Sequence, residues 1–95
     1  MPRLYWARND GMSGHVWLSP AEAEALAHEM LVQGLGAEFP VEKFSRGERM
    51  HVTMTEIARA LAEASPEPVA TDPKLWSDWL RFLEGAASNG GLLVR

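Results

Sequence analysis

Two short stretches near the start of the chain, RLYWAR over 3–8 and HVWL over 15–18, are rich in aromatic and β-branched residues, and the turn formers NDGMSG lie between them. This pattern predicts a β-hairpin with a long loop. Period-two alternation sends Leu4 and Trp6 to one face and Tyr5 and Ala7 to the other, with Val16 and Leu18 opposed to Trp17. Both faces then carry a large ring, so at least one ring is expected at the surface.

After the hairpin the apolar spacing changes to three and four residues. Ser19, Pro20 and Glu22 form a capping box with proline at the first helical position, and Ala23, Leu26, Ala27, Met30 and Leu31 make one stripe behind it. Gly34 or Gly36 is placed to end this helix in the left-handed conformation. Residues 37–48 are poorly patterned, and an irregular loop anchored by Phe39, Val41 and Phe44 is expected there. A short strand over 49–52 precedes a second capping box, Thr53 to Glu56, with Val52 and Ile57 at the spacing of a hydrophobic staple. That predicts a helix over about 54–64 burying Ile57, Ala58, Leu61 and Ala64. Asp72 and Pro73 open a third helix, whose Leu75, Trp76, Trp79, Leu80, Phe82, Leu83 and Ala86 cover more than one stripe and mark it as the central helix. Asn89-Gly90-Gly91 stops it, leaving Leu92 to Val94 as a terminal strand that can join the hairpin.

The fold class expected is therefore α+β: three helices packed on a small antiparallel sheet, made of the N-terminal hairpin plus the C-terminal strand, in the order ββα(β)ααβ. The single Pro-rich stretch, 65–73, is too short to separate two viable domains, so residues 1–95 read as one domain.

Composition narrows the function. The net charge is −4, so the overall field repels phosphate backbones and anionic lipid, and neither nucleic acid nor a membrane is expected as partner. Acidic charge gathers over 20–38, from Glu22, Glu24, Glu29 and Glu38, which read as solvated surface; Lys43, Arg46 and Arg49 give 39–52 a net +1. The absence of cysteine removes disulfides, thiolate metal sites and a Cys nucleophile, and suits a cytoplasmic setting.

Candidate chemistry is sparse. His15, His28 and His51 fall in three different elements with no metal-ligand spacing, so no metal or other cofactor is expected. Asp10 and His15 across the hairpin loop offer one route to an oriented base, which would make the 9–15 loop a small-molecule or metal-binding enzyme site. The glycines of NDGMSG and NGG do not open helices, and their role is turn formation. EIARAL, Glu56 to Leu61, resembles the first helix of a helix-turn-helix module, with LWSDWLRFL, Leu75 to Leu83, where a second would stand. That resemblance implies a nucleic-acid-binding regulator. Against it, the intervening 64–72 is too long and holds two prolines, and the second helix carries Asp78 and Glu84 beside Lys74 and Arg81.

The reading that remains is a non-enzymatic acidic module that binds and modulates another protein. Its candidate contacts are Tyr5, Trp6 and Trp17 of the hairpin together with Lys43, Arg46 and Arg49. Small acidic inhibitors share this profile. An unpaired edge on the strand Leu92–Val94 would also allow a homodimer.

Overall fold

A computed structural model describes residues 3–7, 15–46 and 51–94. Its elements are β1 (Arg3–Ala7), β2 (His15–Leu18), α1 (Pro20–Val32), a 3-10 turn (Leu35–Ala37), α2 (Val41–Arg46), β3 (His51–Val52), α3 (Met54–Glu63), α4 (Pro73–Ser88) and β4 (Leu92–Val94). The α+β class stands, with four helices in place of three. The strands form one antiparallel sheet in the order β2-β1-β4-β3.

Three helices start where their caps dictate. Ser19 Oγ accepts from the Glu22 amide at 3.1 Å while the Glu22 carboxylate accepts from the Ser19 amide at 2.8 Å. Thr53 and Glu56 repeat the box, and the Asp72 carboxylate accepts from the Leu75 amide at 2.9 Å. Val52 and Ile57, the staple pair, are both fully buried. The first helix ends before Gly34, which adopts φ 80°.

Residues 41–46 are helical, where an irregular loop was expected. The three anchors are nonetheless the predicted ones: Phe39, Val41 and Phe44 are buried. The short helix turns Phe44 into an aromatic cluster, 5.8 Å from Phe39 edge to face and 5.0 Å from Trp79, with Phe82 stacked 5.5 Å beyond. Burial of these rings, rather than helix propensity, holds so short an element in place.

All the strongly buried strand residues, Leu18, Val52 and Leu92, lie on one face of the sheet, against α1 and α4. On α4 the inward stripe is Trp76, Trp79, Leu83 and Ala86. On α3 it is Ile57 and Ala60; Ala58, expected inside, is exposed. Gly91 joins α4 to β4 at φ 97°, and a Cβ there would stand 2.3 Å from the Val52 carbonyl oxygen. Glycine is required at this point both by conformation and by space.

Helix α1 departs from expectation at two positions of its last turn. Leu31 points outward, 55% exposed, and Glu29, expected on the surface, is 0% exposed. Each Glu29 carboxylate oxygen accepts two hydrogen bonds: Oε1 from the Ala70 and Thr71 amides at 2.6 and 3.0 Å, Oε2 from the Val69 amide at 2.8 Å and from Gln33 Nε2 at 2.7 Å. Gln33 Oε1 in turn accepts from the Ser65 amide at 2.7 Å, and the Trp76 indole donates to the Ser65 carbonyl at 2.8 Å. The connection from α3 to α4 is thus tied to α1 at its middle and to α4 at its start. A loop that would otherwise carry unmatched amides is satisfied largely by two side chains of one helix end, Glu29 and Gln33.

Burial alone pushes the Glu29 pKa up, but the amides of Val69, Ala70 and Thr71 and the Gln33 side chain outweigh it and hold the group below its ordinary value of 4.5. A depressed carboxylate stabilises the folded chain fully above the unfolded-state value and progressively less as pH falls through the folded one. Glu29→Gln, which removes the charge and half the acceptor capacity, is expected to cost about 3 kcal/mol at neutral pH by urea unfolding. That difference should shrink when the comparison is repeated well below pH 4.5. A difference independent of pH would show that the carboxylate is not ionised in the fold. Gly91→Ala should cost at least about 2 kcal/mol by the same measurement, through strain at the α4–β4 junction.

Candidate functional site

The face of the sheet turned away from the helices is built by register alone. Residues directly opposite in an antiparallel pair share a face. Leu4 stands opposite Trp17, Trp6 stands between His15 and Leu93, and Leu93 stands opposite His51. These positions form the outer row set, and none of them is acidic. The inner set is Val16, Leu18, Leu92 and Val52, together with the positions of Arg3, Tyr5 and Ala7.

Exposure follows the same division. Trp17 is 60% exposed, His51 is exposed and Leu93 is half-buried, while Leu18, Val52 and Leu92 are sealed under the helices. Trp17 is thus a large ring that alternation leaves at the surface. The two other described indoles belong to the core: Trp76 and Trp79 are buried. Trp17 sits on β2, at the edge of the sheet.

The expected contact residues do not gather in one place. By register the position of Trp6 falls on the same face as Trp17, and that of Tyr5, opposite Val16 and Val94, on the inner one. Lys43 is exposed on α2 and lines an open groove of about 320 Å³ with Leu31, Gly36 and Pro40, on the helical layer. Arg46 is the last residue of α2, and Arg49 lies outside the described residues. The groove is within the size range of small-ligand sites, but its polar groups are limited to the backbone and the rim pair Glu42 and Lys43.

The remaining sequence candidates are placed as follows. Asp10 and the NDGMSG loop lie outside the described residues. His51 Nε2 is 3.2 Å from the Gly90 carbonyl oxygen, a contact that ties β3 to the glycine turn. Among the described residues no three His, Asp or Glu side chains converge, and no helix is long and apolar enough to cross a membrane. The helices resembling a helix-turn-helix are joined by the connection that Glu29 and Gln33 tie down. Arg59 on the first of them is 4.0 Å from Glu38.

Glu29 itself has the burial that marks many catalytic acids. Its surroundings work the other way: four donors fill the lone-pair directions of the carboxylate, and its pKa is lowered, not raised toward neutrality. It is a tie between segments. Sequence inspection misses it because its three amide partners lie 40–42 residues further along the chain, and only the Gln33 spacing is local.

The strand Leu92–Val94 is not a free edge. β4 lies between β1 and β3, Leu92 pairing with Ala7 on one side and Val52 on the other. Pairing with another chain at the C-terminal strand would require stripping β1 or β3 away. Comparison with protein families, with curated proteins and with solved structures found no match to this chain.

Proposed function

We propose that the chain is a small acidic, non-enzymatic interaction module that binds and modulates another protein through the outer face of its sheet, with Trp17 as the anchor. The observation that carries this reading is a tryptophan 60% exposed on the face opposite the buried Leu18, Val52 and Leu92, a face with no acidic position in its strands. Exposing an indole forfeits burial worth about 2 kcal/mol, and rings left outside in this way are enriched at binding surfaces. The rest of the molecule is net negative. The partner that fits is one with an apolar slot for the indole and a basic surround, the surround steering the encounter and the slot holding it.

Enzymatic readings have less support, since the buried carboxylate is consumed by backbone amides and no three His, Asp or Glu side chains converge among the described residues. Nor does the Lys43 groove enter the proposal, because it belongs to the helical layer.

The test is a parallel capture from cell lysate with the intact chain and with Trp17→Ala, followed by titration of whichever protein the intact chain retains. The substitution should leave unfolding free energy within about 1 kcal/mol, because the ring is already outside, and should weaken the complex by roughly 30-fold or more. Equal retention by both forms would remove Trp17 from the binding surface and with it the proposal.

A further inference from the structure

Strand β2 has one partner, β1, and sits at the end of the strand order. Among the described residues nothing pairs with its other side. The opposite edge of the sheet, β3, is two residues long and runs directly into the cap of α3. β2 is twice that length, and its sequence HVWL holds no lysine, no acid and no proline. Those are the devices by which exposed sheet edges are ordinarily kept from pairing.

We infer that the free edge of β2 pairs antiparallel with β2 of a second copy of this chain, joining two four-stranded sheets across a two-fold axis. The inference goes beyond the docking reading: that reading concerns the outer face and a basic partner, and this one the free edge of the same strand. A second copy is the occupant for two reasons. The edge is self-complementary: antiparallel opposition keeps faces together, so a register centred on Trp17 sets Trp17 against its own counterpart and Val16 against Leu18, with His15 opposite Ser19 at either end. The edge is also uncharged in a molecule of net charge −4, so it offers two like-charged copies a line of approach free of facing carboxylates.

The size of the contact sets its strength. Four residues of strand and two partly exposed indoles bury on the order of 600–800 Å² in total, below the ~1,200 Å² of a stable interface. The dimer is therefore transient, with a dissociation constant expected in the range of about 100 μM. Because the copies repel each other at long range, added salt strengthens the pairing, whereas salt would weaken the grip of a basic partner.

Sedimentation equilibrium of the full chain tests this, run from about 10 μM to about 1 mM at low and moderate salt. The expected result is a mass-average molecular weight rising toward twice 10.5 kDa at the upper end and rising earlier with salt. Trp17→Lys, which puts a charge on the edge, should stay monomeric throughout while keeping its helical circular dichroism. Should that variant not fold, amide shifts of the unmodified chain on dilution decide the matter, with changes concentrated at 15–18. A monomer at the highest concentration, a dimer indifferent to Trp17→Lys, or dilution shifts centred elsewhere would each overturn the pairing. A chain that stays monomeric yet loses its captured protein on Trp17→Ala would overturn self-pairing alone and leave the docking reading standing.

Discussion

A single layer of helices over a four-stranded sheet can bury one face of that sheet and no more, and the rest of this structure follows from which face is chosen. Leu18, Val52 and Leu92 commit the inner face to α1 and α4. Once they are inside, period-two alternation leaves Trp17, Leu93 and His51 on the other side, and the register carries Leu4 and Trp6 with them. A one-residue slip in β2 would bury the indole and expose Leu18. The exposed tryptophan is thus a direct consequence of the apolar pattern that builds the core.

The helical layer is held over the sheet by contacts of two kinds. Aromatic packing joins α2 to α4 through Phe44 and Trp79, and the Glu29 carboxylate joins α1 to the segment that leads into α4. The second contact is polar and buried, so it is sensitive to geometry: three amides must converge on one carboxylate, and any displacement of α1 along its axis leaves donors without acceptors. It fixes the position of α4, and with it the inner face of the sheet. The device is structural, but the surface the sheet presents depends on it.

Local signals made much of this legible in the sequence. The capping boxes at Ser19 and Thr53, the Asp72-Pro73 start and the alternation in RLYWA and HVWL each involve residues within a few positions of one another, and each is found where the pattern places it. What was missed depends on distant partners. Nothing near Glu29 distinguishes it from Glu24, because its burial is decided by amides that arrive from beyond α3. Helix α2 follows Pro40 with no side-chain cap before it and is too short to show a period; its existence follows from the ring cluster that Phe39 and Phe44 form with Trp79. The terminal strand is legible as a strand, but whether its edge is covered is not, since strand order is a property of the whole sheet. The candidate surface was half legible for the same reason: alternation separates Tyr5 from Trp6, while only the tertiary arrangement shows which face the helices cover.

The one-sided sheet is tested most directly by the accessibility of individual indole N–H groups, read as paramagnetic broadening by a soluble gadolinium chelate at a concentration where the chain is monomeric. The Trp17 indole should broaden strongly, while those of Trp76, bonded to the Ser65 carbonyl, and Trp79 should not. A Trp17 signal as protected as that of Trp76 would place a covering layer over the outer face and contradict the account.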